Sequence, residues 1–173
     1  VRPTDYQGGL TQERLRSLLH YEQETGVFTW KVLRPHAKIG AEAGAIHKDS
    51  GYRRIKIDGR PYTASRLAWL YMTGEWPDHF IDHIDLSRTN NAWRNLRAAT
   101  RAQNARNRPV QKNTRSGLKG VHFAPTRTSF KKWAAHIRIG GVLKTLGYFE
   151  HPEEAHAAYA AASVAAFGQF ARS

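Results

Sequence analysis

The sequence predicts an α+β protein built in two parts, on three observations. Two-residue turn signals, Asp58-Gly59 and Gly140-Gly141, each separate short alternating runs, the pattern of antiparallel hairpins. Apolar residues at helical spacing mark helices among those strands, the longest of them alanine-rich and close to residue 173. A polar, aperiodic stretch at 109–115 follows Arg108-Pro109 and reads as a linker, dividing one unit at 11–108 from another at 116–173 and leaving 1–10 unassigned. At 173 residues the chain is long enough for two small folding units.

Taken in order, Thr11 to Tyr21 reads as a short helix with Leu15, Leu18 and Leu19 on one face. Gly26-Val27-Phe28-Thr29-Trp30 reads as a strand, and the glycines at 40, 44 and 51 make the following stretch loop-rich. Tyr52, Ile55 and Ile57, the Asp58-Gly59 turn and Pro61 to Thr63 give a strand, turn and strand. Leu67, Ala68, Leu70 and Tyr71 predict a helix over 65–72, with Gly74 near its end and Pro77 beyond. Phe80 to Ile84 and Asn95 to Ala99 read as strands flanking a turn-rich run. Thr100 with Gln103 forms a capping box that opens a helix closing before Pro109.

In the second unit, 119–123, 132–139 and 142–149 read as three strands. Pro152 with Glu153 and Glu154 suits a first helical turn, and the alanines carry that helix through Phe167 to Gly168.

Lys and Arg number 27 against 14 acids, a net charge of +13, and the simplest reason to tolerate such self-repulsion is a polyanionic partner. Without an apolar run near ~20 residues or a signal-peptide pattern, nucleic acid is favoured over a membrane surface. Eight of the basic residues lie within 86–115, which holds no acid: Arg88, Arg94, Arg97, Arg101, Arg106, Arg108, Lys112 and Arg115. There is no cysteine, so disulfides, thiolate catalysis and cysteine-ligated zinc are excluded. Any metal must rest on imidazole, carboxylate or amide oxygen.

The chemical constellation lies at Asp82-His83, an acid and an imidazole interrupting an otherwise apolar strand, where burying either is costly. Asp82-His83, Asn95 and Asn104, in that order and with that spacing, resemble the HNH endonucleases of the homing-type branch. The likeness extends back through Arg66-Leu67-Ala68-Trp69 and Gly51-Tyr52 to Gly26-Val27-Phe28-Thr29-Trp30. It implies a ββα-metal unit over about 80–108 in which Asp82 and Asn104 bind one cation, His83 is the general base and Asn95 orders the loop. Both implied ligands are hard oxygens, so Mg²⁺, or Mn²⁺, is expected. Many relatives carry His where this chain has Ser65, and the role of that position is open. Given the implied phosphate-cleaving site, Arg88, Arg94, Arg97, Arg101, Arg106 and Arg108 are expected to contact DNA phosphates.

Along 132–139 the side chains split by parity: Trp133, Ala135, Ile137 and Ile139 can cover the helix, whose Ala155, Ala158, Tyr159 and Ala162 recur at helical spacing. Lys132, Ala134, His136 and Arg138 are left on a free basic face. Ser116-Gly117-Leu118-Lys119-Gly120-Val121, Trp133-Ala134-Ala135-His136-Ile137-Arg138, Leu146-Gly147-Tyr148-Phe149 and Phe167-Gly168 resemble the APETALA, or ethylene-response-factor, DNA-binding domain. That resemblance implies a three-stranded antiparallel sheet packed on one helix, contacting duplex DNA through Lys119, His122, Lys132, His136, Arg138 and Thr145.

The expectation is a metal-dependent endonuclease of double-stranded DNA, nicking or cutting both strands. Its resemblances imply a phage or mobile-element enzyme of the bacterial cytoplasm. Oligomeric state is not legible. The rivals are a transcription regulator with a vestigial nuclease fold and an RNA-binding protein, which would need exposed aromatics on its sheet to stack bases.

Overall fold

The computed structural model describes residues 9–106, 110, 114–125 and 130–171. The chain divides into two compact units, Val1–Arg101 and Ala102–Ser173. This division comes earlier than the linker expected at 109–115, of which only Val110, Thr114 and Arg115 are among the described residues.

The first unit opens with α1 (Gln12–Leu18), capped by Thr11, whose hydroxyl accepts from the Arg14 amide at 3.1 Å. The helix expected to reach Tyr21 stops at Leu18. Leu19–Glu22 is instead a strand, β1, antiparallel to β2 (Val27–Trp30). The reason is visible in the pairing: Leu19 faces Trp30 and Tyr21 faces Phe28, so all four become buried, and Tyr21 stacks on Phe28 at 4.6 Å between centroids. Continued helix would have turned Tyr21 away from the leucine face.

A three-stranded sheet follows, ordered β3 (Ala45–Ile46), β4 (Arg53–Ile57), β5 (Arg60–Thr63). The short β3 lies in the stretch expected to be loop. Asp58 and Gly59 both take left-handed φ, 47° and 80°, which a two-residue turn matching the strand twist requires. Next comes α2 (Ala64–Thr73), ended by Gly74, whose amide donates to the Leu70 carbonyl at 3.0 Å. Of its buried face, Ala64, Leu67, Ala68 and Leu70 join Leu15, Leu19, Phe28, Ile55 and Ile57 in one core, and Ser65 is buried beside them in the helix. Each large side chain so buried contributes about 1.5–3 kcal/mol before entropy is counted.

β6 (Phe80–His83) and β7 (Leu96–Ala99) pair antiparallel, with a 3-10 turn, Trp93–Asn95, leading into β7. α3 (Arg101–Arg106) follows, and the division between the units falls inside it.

The second unit holds β8 (Val121–Phe123), β9 (Trp133–Ile139) and β10 (Val142–Phe149) as an antiparallel sheet in the order β10-β9-β8. Pairing of β9 with β10 shifts register between Thr145 and Gly147, an irregularity that alternation alone did not predict. α4 (Pro152–Phe167) carries Pro152 in its first turn with Glu153 and Glu154 beside it. It buries Ala155, Tyr159 and Ser163, and Ala155 forms a small core with Val121 and Ala135. Among the described residues no helix is long and apolar enough to cross a membrane.

Candidate active site and basic sheet face

Asp82 and His83 end β6, and both are buried, at 5% and 4% exposure. The strand register explains what Asp82 meets: Arg97 lies directly opposite on β7. Its Nε and Nη2 both reach Asp82 Oδ2, at 2.9 and 2.8 Å. A buried carboxylate held by a forked guanidinium is strongly coupled to it, and removing either partner alone would strand a charge. Arg97, expected at DNA phosphates, is thus engaged with the acid of the site.

His83 faces different neighbours. Its Nε2 lies 3.2 Å from Oδ1 of Asn91, and its ring sits 5.8 Å from that of Tyr52. Burial, the largest influence, holds the imidazole below its ordinary value, opposed in part by the Asn91 hydrogen bond and the charges of Asp85 and Asp82. A neutral imidazole near physiological pH is the form a general base needs.

The loop from Asp85 to Asn91 is organised around two side chains. Asn95 Nδ2 donates to Asp85 Oδ1 at 2.9 Å and to the Asn90 carbonyl at 2.8 Å, while its Oδ1 accepts from the Asp85 amide at 3.0 Å. Asp85 also accepts from Asn90 Nδ2 at 2.7 Å and from the Ser87 amide at 2.8 Å. Burial acts to raise the Asp85 carboxyl, but these hydrogen bonds together hold it below its ordinary value. Asn95→Ala removes three hydrogen bonds at once and leaves loop polar groups unpaired. It is expected to destabilise the first unit by about 2–3 kcal/mol, read from a denaturant melt.

Asn91 itself is pinned from behind. Its carbonyl accepts from Tyr21 Oη at 2.7 Å, its Nδ2 donates to the Thr89 carbonyl at 3.1 Å, and the neighbouring Trp93 amide donates to Gln23 O at 2.8 Å. Burial, then Glu22, pushes the Tyr21 hydroxyl well above its ordinary value, so it stays a donor. Gly26, at φ 76°, lies so close that a Cβ there would overlap the Asn91 carbonyl carbon and the Ala92 nitrogen. Only glycine allows both the backbone conformation and the approach.

Asn104 lies on α3, in the part of the chain that belongs to the second unit. Arg88 and Arg94 are exposed, and Arg88 lies over the Tyr52 ring at 5.3 Å while donating to the Ser50 carbonyl at 2.9 Å. Arg101 is exposed at the start of α3 and Arg106 ends it; Arg108 is outside the described residues.

In the second unit, cross-strand partners define the face away from α4. His122 and Tyr148 flank Ala134, His136 faces Thr145, and Arg138 faces Leu143, with Lys132 on the same parity. His122, Lys132, Arg138 and Thr145 are exposed, and the His122 and His136 rings approach to 5.1 Å. Lys119 lies before β8 rather than on a strand, its carbonyl 3.0 Å from His156 Nδ1. The face also carries Tyr148, 51% exposed, an aromatic that a reading by charge passed over.

Among the described residues no group of three or more His, Cys, Asp or Glu gathers that could hold a metal ion. The Asp82 carboxylate is a hard-oxygen group of the kind that small divalent ions take. The contact of Arg97 with Oδ2 is the competing claim on that carboxylate.

Residues 62–106 match the family model described as HNH endonuclease. That segment runs from β5 through α3 and contains Asp82, His83, Asn91, Asn95 and Asn104, and the match suggests a nuclease acting on DNA. No curated protein matches the chain.

Proposed function

We propose that the chain is a metal-dependent endonuclease that hydrolyses phosphodiester bonds in duplex DNA, its target chosen in part by the sheet of the second unit. The observation that carries this reading is the buried His83, held by Asn91 next to Asp82 inside the segment that matches the nuclease family. His83 accepts a proton from the attacking water. Asp82 and, on the family resemblance, Asn104 would hold the cation, with Mg²⁺ or Mn²⁺ suited to their oxygens. When bound, such an ion neutralises charge on the phosphate and the departing 3′ oxygen. Asn95 keeps the loop between His83 and β7 in one arrangement. Arg88, Arg94 and Arg101 supply phosphate contacts, and Lys119, His122, Lys132, His136, Arg138 and Thr145 form the DNA-facing set of the second unit. The resemblance to the ethylene-response-factor domain and to homing-type enzymes of phage and mobile elements supports this division of labour, and with it a cytoplasmic site of action.

One observation favours a second reading, a DNA-binding regulator without cleavage: Arg97 neutralises the acid that would hold the ion.

Incubation of the purified chain with supercoiled plasmids separates the two. Relaxation or linearisation with Mg²⁺ or Mn²⁺, abolished by EDTA, is the expected result, and its form shows whether one strand or both are cut. Tight duplex binding with no cutting across a panel of sequences supports the regulator.

A further inference from the structure

We propose that His122 and His136 form a proton-taking pair on the outer face of the β8–β9–β10 sheet, charged when a DNA phosphate lies against it, so that the second unit grips duplex DNA more tightly as the pH falls. The phosphate contact rests on the duplex-DNA reading above; the pairing of the two rings does not.

Strand register brings the two imidazoles together. His122 of β8 pairs with Ala134 of β9, and His136 stands two residues further along β9 on the same face, the diagonal position that longer side chains reach across. Ala134 offers only a methyl group beside them, and the rings meet at 5.1 Å between centroids, tilted by 33°. His122 is exposed and His136 half-buried, and the Nε2 of His136 is buried with no hydrogen-bond partner among the described residues. A neutral imidazole has one donor and one acceptor nitrogen, whereas a charged one has two donors. Charging His136 in the free sheet would therefore leave a buried N–H with nothing to receive it, an expensive arrangement.

The surroundings act in the same direction. Burial first, then the charge of His122, hold His136 below its ordinary value. Lys132 and Arg138 share its parity on β9, Thr145 stands opposite it on β10 and Tyr148 is opposite Ala134. Glu150 lies just past the end of β10, while Glu153, Glu154 and His156 belong to α4, which packs on the other face of the sheet. Glu150, Glu153 and Glu154 are the only acids in the sequence from 102 to 173. A face of this composition discourages protons on its own histidines and attracts a phosphate. A phosphate arriving there reverses the balance, since its charge favours both protons and its oxygens accept from the ring N–H groups. Because His136 Nε2 makes no hydrogen bond in the free sheet, turning it toward a phosphate breaks none.

The sign follows from counting protons. Protein on DNA holds more protons than free protein between the two titrations, so the added affinity is complete at the acid end and is lost as the pH climbs through the values the rings take on DNA. The window opens below about 6.5, where free His136 titrates.

The test is the affinity of the full chain for a short duplex, by fluorescence anisotropy in EDTA, from about pH 5.5 to about pH 8. Affinity should rise by about 5- to 30-fold toward the acid end, and the dependence of log Kd on log salt should steepen by about one to two units. The double variant His122→Gln/His136→Gln should keep the alkaline affinity and lose most of both changes. His136→Arg, which cannot discharge, should hold much of the acid-end affinity at the alkaline end. In the wild type, NMR titration should show both rings keeping their protons to higher pH with duplex than without, a readout that needs no variant to fold. Duplex affinity that does not change with pH would overturn the proposal and leave the DNA reading standing. So would a pH dependence that passes unchanged into the double variant, or rings that titrate alike with and without duplex. Absence of duplex binding throughout would overturn the DNA reading and the phosphate contact with it.

Discussion

His83→Ala is expected to cut plasmid cleavage by about 10²- to 10⁴-fold while leaving affinity for duplex DNA within a factor of a few. The loss should fall on kcat, because a proton acceptor acts in the transition state and not in the encounter. His83 is buried, so gel-shift affinity is the matched control. The pH profile gives the same residue a second readout. Burial depresses the imidazole, and the neutral form therefore survives to lower pH than it would for a solvated histidine. The acid limb of the wild-type rate should accordingly lie below the ordinary imidazole value of about 6.5, and His83→Ala should lack that limb. Cleavage by His83→Ala at the wild-type rate would remove His83 as the base.

Gly26→Ala should be the most damaging single methyl addition in the first unit. The residue sits at φ 76°, where a Cβ costs roughly 1–2 kcal/mol in backbone strain alone. The added carbon would also overlap the peptide joining Asn91 to Ala92, which is backbone and cannot swing aside as a side chain could. Together these make a loss of about 3 kcal/mol or more, a fall in melting temperature of roughly 10 °C or more for a unit of this size. Because the displaced peptide belongs to Asn91, whose side chain meets His83, surviving folded protein should also cleave more slowly. Melting curves and single-turnover cleavage check the two parts separately. A Gly26→Ala variant that melts with the wild type would contradict the close packing of the hairpin on the site loop.

Turn chemistry and period made much of the fold legible. Asp58-Gly59 and Gly140-Gly141 placed two hairpins because few residue pairs accept consecutive left-handed conformations, and 152–167 announced its helix through its alanines and first-turn acids. The acid and imidazole at the end of β6 stood out in the sequence because ionisable groups in an apolar strand are costly to bury. What was not legible depends on pairing across distance. The leucines of α1 run without a break into Leu19, and only its pairing opposite Trp30 makes Leu19 begin a strand. The opposition of Asp82 and Arg97 is a matter of register between β6 and β7, which a list of basic residues cannot reveal, so Arg97 was grouped with the phosphate contacts. Asn91 was hidden for another reason. It stands beside Asn90 in a turn-rich run where asparagines are ordinary, and only the structure distinguishes the one that holds the loop acid from the one that holds the imidazole.

The hairpin behind Asn91 bears on how this chain could be cut down or transplanted. The segment matching the nuclease family begins at residue 62, yet Tyr21, Gln23 and Gly26 brace its loop, and Leu15, Leu19 and Phe28 share the core on which α2 rests. A fragment trimmed to the recognisable stretch would carry the acid and the imidazole but not the scaffold that aims them. The portable unit is larger than the signature: anyone fusing this domain to another DNA reader should make the cut before Leu10, not at residue 62.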